Sequence, residues 1–244
     1  KYEWTGERAI YGCDVANCTI THFVMQNCEE LLARDIAVGA NSSIDVAKGK
    51  INYILYDKVP FCLDFEDFNS QHSAASVKAV ICAYIDAWQD RMSGDRLLAA
   101  EWLVESIDSR IVHDSTGLKM VYRSRGTLLS GWRLASFIDS ILNQVCFSYV
   151  QGSLEQEHVS VHSGDDIMVG ITNLKQVQVI YRGCDKANIR LSPLKCFVGS
   201  VAEFLGFDHG SRQTGQCLAG SMAAFVAGKV ESGPAFDLRD VISA

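Results

Sequence analysis

Short apolar runs bounded by turn residues predict the strands of this chain. Residues 59–65 are mostly apolar and carry Asp64 near their end, as expected at the end of a buried strand. Residues 158–170 contain two β-rich runs separated by Gly164, which predicts a hairpin. Shorter extended segments are predicted within 1–12, 111–123, 194–198, 203–207 and 212–218. The strands are scattered along the chain, so a sheet must be assembled from distant segments.

Apolar residues that recur every three or four positions predict the helices. After Ser73, which can cap a helix, such a pattern runs to Met92 and is broken by Ser93 and Gly94. Further helical patterns are found in part of 17–37 and in 96–108, 132–148, 173–187, 220–229 and 236–243. Strands and helices do not follow a regular strand–helix–strand repeat. The pattern favours an α+β domain, with a small antiparallel sheet backed by helices.

One predicted helix, 132–148, has a second polar face. Ser136, Asp139, Ser140 and Asn143 recur at helical spacing beside the apolar face. This stripe contains no Lys, Glu or Arg, which is unusual for a face in contact with solvent. We therefore expect it to face a substrate.

Composition changes this picture only slightly. The chain has 244 residues, of which 48% are hydrophobic, enough for one compact domain with or without an appendage. Its nine cysteines include no Cys-x-x-Cys pair, which fits a reducing compartment and buried free thiols. We find no apolar stretch of membrane-spanning length and no signal peptide, so no membrane partner is expected. Because the chain starts within a pattern at Lys1, we expect it to be a piece of a longer protein.

Three cysteines and a histidine lie close together in the sequence and form a candidate metal site. Cys13, Cys18, His22 and Cys28 place four potential zinc ligands within 16 residues. Their spacing does not match a zinc knuckle or finger. Cysteines of the hydrophobic core are the favoured interpretation, with a zinc site as the alternative.

Two adjacent carboxylates occupy the turn of the predicted hairpin. Asp165 and Asp166 follow Gly164, and like charges at a tight turn repel each other. A divalent cation would offset this repulsion, which makes a metal site the natural interpretation. Asp64 is a third candidate carboxylate, 101 positions before Asp165, although a solvated loop is an equally good explanation for Asp64 alone.

Three segments in this order resemble motifs A, B and C of the palm of viral RNA-dependent RNA polymerases, in particular those of totiviruses and their double-stranded RNA relatives. These segments are LDFEDFNSQHS at 63–73, GTLLSGWR at 126–133 and SGDD at 163–166. Flanking segments are similar to motifs F, D and E, namely GERAIYG at 6–12, SPLK at 192–195 and EFLGF at 203–207. The ordered set covers most of residues 1–210 and is far more specific than any one motif.

The resemblance implies a right-hand polymerase with a palm, partial fingers and the start of a thumb. The implied boundaries are partial fingers at 1–58, a palm at 59–218 with an inserted fingers segment near 93–130, and the thumb from 219 to 244. The implied activity is template-directed RNA synthesis from NTPs. The implied partners are an RNA template, the nascent strand and a viral capsid protein, with a coat–polymerase fusion as one form, in the virion interior or host cytoplasm. The net charge of −7 would argue against nucleic acid, but polymerases place their basic residues mainly in fingers and thumb.

The resemblance also assigns roles to single residues. Asp64, Asp165 and Asp166 are expected to bind two Mg²⁺ or Mn²⁺ ions, with Asp64 and Asp165 as the main ligands. Lys195 is expected to protonate the leaving pyrophosphate, with an ordinary surface lysine as the alternative. Arg8 is expected to contact the triphosphate of the incoming nucleotide. The remaining expected nucleotide-binding residues are Asn69, Ser130, Gly131, Ser136 and Asp139.

The residues expected to recognise the ribose depart from the family pattern. Many RNA polymerases pair an Asp of motif A with an Asn of motif B, whereas this chain has Asn69 and Asp139 at those positions. The amide and the carboxylate have exchanged places, yet a hydrogen bond between them and an acceptor for the 2′-hydroxyl both stay available. A motif B position often filled by Thr is Ala135, so Ser136 takes over that hydroxyl role in our interpretation.

Two other functions compete with RNA synthesis. A reverse transcriptase usually has an aromatic and a variable residue before the paired Asp, whereas this chain has Ser163 and Gly164. The non-catalytic alternative is a structural or RNA-binding domain of a coat–polymerase fusion, or a degenerate relic of a polymerase. A relic should have lost metal ligands, whereas this chain has Asp64, Asp165 and Asp166. A polymerase site requires Asp64 and Asp165 to lie close together in space, so their separation in the structure is the simplest test between these functions.

Overall fold

The computed structural model combines helices with an antiparallel sheet, so the predicted α+β class is confirmed. The structure describes residues 2–3, 6–7, 11–32, 36–37, 43–114, 119–124, 126–152, 159–210, 215–216 and 222. The predicted thumb helices at 220–229 and 236–243 fall outside these ranges apart from residue 222. The domain boundaries stay a prediction.

Described strands and helices alternate irregularly along the chain. The strands are β1 (Tyr2–Glu3), β2 (Gly6–Glu7), β3 (Val59–Leu63), β4 (Ile111–His113), β5 (Val121–Arg123), β6 (Ser160–Ser163), β7 (Asp166–Ile171), β8 (Phe197–Val198), β9 (Glu203–Phe204), β10 (Phe207–Asp208) and β11 (Gly215–Gln216). The α-helices are α1 (Val15–Val24), α2 (Ile44–Ile54), α3 (Ala74–Trp88), α4 (Gly94–Ser106), α5 (Ala135–Gln151) and α6 (Leu174–Lys186).

A four-stranded sheet in the order β6-β7-β3-β8 forms the centre of the molecule, and all its pairs are antiparallel. On one face, the odd-numbered apolar residues of β3 and β7 pack against α5 and α6. On the other face, Cys62 and Met168 pack with α2 and β9. Successive residues of a strand point to opposite faces. The even-numbered Asp64 and Asp166 therefore lie on the side of α2 and β9.

A separate helical cluster joins α1, α3 and α4 to the start of α5. Cys28 is buried in this cluster and Cys13 packs against it. Burial raises the pKa of the Cys28 thiol to about 11, as is usual for a cysteine in an apolar core. These contacts favour the core interpretation of the cysteines.

Several predicted elements are confirmed together with their caps. The Ser73 hydroxyl accepts a hydrogen bond from the backbone N–H of Ser76 at the start of α3. Asn173 caps α6 and forms a reciprocal capping box with Gln176. The hairpin predicted at 158–170 is the pair β6 and β7.

Three predictions differ from the structure. Helix α2 is missing from the predicted elements, although its buried Ala47, Ile51 and Ile54 recur at helical spacing. The strand predicted at 203–207 is two short strands, β9 and β10, joined by a turn in which Leu205 and Gly206 have φ of +54° and +75°.

The third difference is the start of the helix predicted at 132–148, since α5 begins at Ala135. Gly131 has a φ of +97°, which a helix does not allow. Trp132 is buried, and its indole N–H donates to Asn17 Oδ1 at 2.9 Å. Trp132 therefore anchors the preceding loop, and the helix starts only after it.

None of the helices in the described ranges combines the length and the apolar character that crossing a membrane requires.

Candidate active site

The strand register brings two of the predicted carboxylates side by side. In the antiparallel pair of β3 and β7, Leu63 lies opposite Ile167. Continuing this register by one residue places Asp64 opposite Asp166, and directly opposed residues have Cβ atoms about 4.5–5.5 Å apart. The sheet thus brings together two carboxylates that are more than a hundred residues apart in sequence.

The turn that precedes β8 brings Lys195 to Asp64. Cys62 lies opposite Phe197, whereas Phe65 forms a bridge to Leu191, so the register shifts at the turn at 193–195. The Lys195 ammonium lies 3.3 and 3.4 Å from the two carboxylate oxygens of Asp64. The Asp64 side chain is 17% exposed and that of Lys195 is 44% exposed, so the ion pair borders solvent.

These residues open into a cleft of about 520 Å³ at the end of the sheet. Asp64, Asp166 and Lys195 line the cleft on the sheet side. Glu203 and Gly206, from β9 and the turn after it, also line the cleft. The cleft lies on the face of the sheet that α5 and α6 do not cover.

Asp165 lies in the two-residue turn between β6 and β7. Ser163 pairs with Asp166 to close the hairpin, and Gly164 has a φ of +56°. This backbone conformation favours glycine, and a Cβ at Gly164 would meet nothing within 4 Å. Glycine is therefore required here by the shape of the turn rather than by a close neighbour.

The surroundings of Asp166 oppose its ionisation. The pKa of Asp166 is raised to about 7, chiefly by burial. The charges of Asp165, Asp64 and Glu203 act in the same direction. The Lys195 ammonium acts in the opposite direction. A bound cation would favour the ionised carboxylate for the same electrostatic reason.

The chemistry of these side chains fits a hard divalent cation. Mg²⁺ prefers oxygen ligands and keeps several of its waters, so it needs few protein carboxylates. Asp64 and Asp166 offer such oxygens across neighbouring strands. Within the described ranges, no three acidic, histidine or cysteine side chains are grouped so as to hold an ion. At Asp64, the cation that the structure provides is the Lys195 ammonium.

The loop at 126–134, before α5, is held by backbone hydrogen bonds to distant segments. The N–H of Tyr11 donates to the carbonyl of Ser130 at 2.9 Å. The N–H of Leu128 donates to the carbonyl of Asn69 at 3.1 Å. These bonds bring the segments similar to motifs A, B and F together. A role for this loop over the active site stays a prediction.

Asp139 faces a buried histidine that the sequence analysis did not single out. His72 Nε2 lies 3.4 Å from Asp139 Oδ1, and both residues are buried. The His72 ring also packs edge-on against Phe68, with centroids 4.2 Å apart. Asn69 lies in the same short helical turn, three positions before His72. A hydrogen bond between Asn69 and Asp139 stays a prediction.

The polar stripe on α5 divides between two environments. Ser136 is exposed, as a substrate-contacting hydroxyl would be. Ser140 and Asn143 have no exposed surface and bind the backbone of the β6–β7 turn. For these two residues the prediction of a substrate-facing stripe is wrong, because the hairpin covers them. Arg8 lies outside the described residues.

The chain is similar in sequence to known viral proteins. A family model described as viral RNA-directed RNA polymerase matches residues 1–230. The probable RNA-directed RNA polymerase of Saccharomyces cerevisiae virus L-A is 37% identical over 250 residues, which cover 100% of this chain and 16% of that protein. Its counterpart in Saccharomyces cerevisiae virus L-BC is 35% identical over 247 residues, with the same coverage of 100% and 16%. The chain thus spans about one sixth of the length of these curated relatives.

Solved structures share the fold at much lower identity. The crystal structure of the RNA-dependent RNA polymerase of a human picorbirnavirus matches with a TM-score of 0.62 and 15% identity, covering 82% of this chain and 39% of that one. A mutant of that polymerase lacking an insertion loop matches with a TM-score of 0.61 and 13% identity, covering 82% and 40%. The predicted polymerase palm architecture is therefore confirmed at the level of the fold.

Proposed function

Because the chain belongs to the viral RNA-directed RNA polymerase family, we propose that it carries the palm of an enzyme that copies an RNA template. The reaction joins NTPs to the 3′ end of a growing RNA strand. The observation that carries this proposal is the meeting of Asp64, Asp166 and Lys195 in one cleft. A purely structural domain has no need for two opposed carboxylates and an ammonium at the end of a sheet.

In this proposal Asp64, Asp165 and Asp166 would hold two Mg²⁺ or Mn²⁺ ions. When bound, such ions stabilise charge on the phosphates and make the 3′-hydroxyl a better nucleophile. Donor chemistry and strand placement both support this ligand set. Lys195 must leave at least one oxygen of Asp64 free for this role, and its 44% exposed side chain has room to move.

The proposed chemical step is a phosphoryl transfer with a named proton donor. The 3′-hydroxyl oxygen forms a bond to the α-phosphorus of the NTP, and the bond between the α-phosphorus and the bridging oxygen breaks. The hydroxyl proton passes to water. Pyrophosphate leaves with a proton from Lys195 Nζ, which the cleft places beside the carboxylates. The neutral Lys195 amine that results regains a proton from solvent.

Other residues are proposed to position the nucleotide. Arg8 would pair with the triphosphate through its guanidinium. Ser130 and Gly131 would form a loop against the template or the nucleotide, since a glycine backbone allows a close approach. Ser136, exposed on the first turn of α5, would offer a hydroxyl to the ribose.

The proposed partners follow from the activity. They are the RNA template, the nascent strand and NTPs, and we also propose a viral capsid protein, in the form of a coat–polymerase fusion or a separate shell. The length of the curated relatives outside the matched region leaves room for such a domain in those proteins. The corresponding location is the virion interior or the host cytoplasm.

Primer extension by the polymerase that contains this chain tests the proposal. With an RNA template, four NTPs and Mg²⁺, we expect an RNA product complementary to the template. A clear preference for dNTPs would favour the reverse transcriptase alternative. Retained RNA binding without any product would favour the non-catalytic alternative.

Ribose selection gives a sharper prediction about Asn69 and Asp139. We expect Asp139→Ala to lower the ratio of NTP to dNTP incorporation by about tenfold or more, because a site built around a hydroxyl rejects substrates that leave its polar groups unpaired. The measurement is single-nucleotide incorporation with each substrate in turn. Asp86→Ala, an exposed position on α3, is the matched control.

The exchange of amide and carboxylate has its own test. The double variant Asn69→Asp with Asp139→Asn restores the arrangement common in the family and is expected to keep ribose selection. His72 lies 3.4 Å from Asp139, so loss of a carboxylate there also changes the surroundings of His72. An unaltered incorporation ratio in Asp139→Ala would show that this pair does not recognise the sugar.

A further inference from the structure

Two buried polar residues of α5 hold the backbone of the β6–β7 turn. The Ser140 hydroxyl donates to the carbonyl of Ser136 and accepts from the N–H of Gly164, both at 2.7 Å. The Asn143 amide nitrogen donates to the carbonyls of Gly164 at 2.9 Å and Asp166 at 3.2 Å. The turn that carries the paired carboxylates is therefore fixed by side chains from a helix on the opposite face of the sheet.

A second pair of side chains fixes the orientation of the Asn143 amide. Both hydrogens of its nitrogen point to carbonyl oxygens, so its Oδ1 must act as an acceptor. His162 Nδ1 lies 2.9 Å from this oxygen and therefore carries a proton. His162 Nε2 lies 2.9 Å from the hydroxyl of Ser160, which can donate to it in the neutral ring. Asn143, His162 and Ser160 are all buried, so each bond replaces one that water would otherwise supply.

The outer side of the hairpin is also held. The N–H of Ala37 donates to the carbonyl of His162 at 2.7 Å. The hydroxyl of Ser163 donates to the carbonyl of Ala37 at 2.8 Å. The backbone on both sides of the turn is thus constrained, and little freedom is left in the placement of Asp165 and Asp166.

We propose that Ser140 and Asn143 are positioning residues that set the placement of the Asp165 and Asp166 carboxylates relative to Asp64. Divalent ions require their ligands within a few tenths of an ångström, and the residues that orient the ligands contribute to affinity. This inference rests on the proposed function in one respect, namely that the three carboxylates bind the ions. It adds the residues through which α5 controls that site.

Asn143→Leu and Ser140→Ala test the inference in the full polymerase. Leucine is close to asparagine in size but cannot bind either carbonyl, and alanine removes the acceptor for the N–H of Gly164. Ser148→Ala, an exposed serine on the same helix, is the matched control. Binding of Mn²⁺ is measured from the electron paramagnetic resonance signal of the free ion, without any turnover. The Mg²⁺ concentration for half-maximal RNA synthesis and the melting temperature are measured beside it.

We expect Asn143→Leu to weaken Mn²⁺ binding by about 10- to 100-fold, as loss of outer-shell partners does in other metal sites. Ser140→Ala should weaken it less, and the requirement for Mg²⁺ should rise in the same order. A merely structural role would lower the melting temperature without changing either metal measurement. Should Asn143→Leu fail to fold, Ser140→Ala decides the result.

Two outcomes would overturn the inference in distinguishable ways. Mn²⁺ binding within twofold of wild type in folded Ser140→Ala and Asn143→Leu, together with loss of binding in Asp165→Asn, would refute the positioning role alone. Mn²⁺ binding that Asp165→Asn leaves unchanged would refute the metal-ligand assignment of the proposed function, and the inference with it.

Discussion

Asp165→Asn is expected to reduce RNA synthesis at least about 10³-fold, which corresponds to about 4 kcal/mol of lost transition-state stabilisation. Asparagine has nearly the same shape as aspartate but removes the negative charge on which ion binding depends. The turn itself should persist, because the positive φ that shapes it belongs to Gly164.

Folding stability should not fall in this variant. The charge of Asp165 raises the pKa of Asp166, which means that the two carboxylates repel each other in the folded protein. Removing one charge relieves this repulsion, so the melting temperature without divalent ions should stay the same or rise. The measurements are initial rates of primer extension and thermal unfolding, with Asp86→Asn on α3 as the matched control. Synthesis within tenfold of wild type would exclude Asp165 as an essential ligand.

Lys195→Leu is expected to lower kcat about 100-fold, the lower end of the range for loss of a general acid. The KM for NTPs should change little, since the proton is needed only as pyrophosphate leaves. Lys175→Leu, an exposed position on α6, is the matched control.

Lys195→Arg separates proton donation from charge. Arginine keeps a positive charge near Asp64, which the Lys195 ammonium now approaches to 3.3 Å, but it does not give up a proton at ordinary pH. If Lys195 is the general acid, the arginine variant should be nearly as slow as the leucine variant. Rescue of kcat by arginine would instead assign Lys195 an electrostatic role at Asp64.

Much of the palm could be predicted from local sequence. Local patterns of apolar residues predict the strand at 59–63 and the hairpin at 160–171. Apolar periodicity and capping residues predict the helices α3 and α6. The turn at Gly164 and Asp165 is equally local, since glycine supplies the positive φ. The ordered motifs supplied the family, which the comparisons confirm.

Local signals failed where a residue's partner lies far away in the chain. Asn143 and Ser140 look like a solvent or substrate face in sequence, and only the packing of α5 beneath the hairpin buries them. The contact of His72 with Asp139 could not be predicted, because Asp139 lies on a different helix. The late start of α5 follows from the anchoring of Trp132 to Asn17 on α1.

The sequence by itself determined the family, the α+β class and the residue types of the site, because these depend on short-range patterns and on motif order. Only the tertiary structure decided which side chains meet. Asp64 is aligned with Asp166 by the register of β3 and β7, and Lys195 meets Asp64 from the turn before β8. The buried network from Ser140 to His162 exists only once α5 and the hairpin have packed. Register and burial arise from long-range hydrogen bonding and close packing, which no local period encodes.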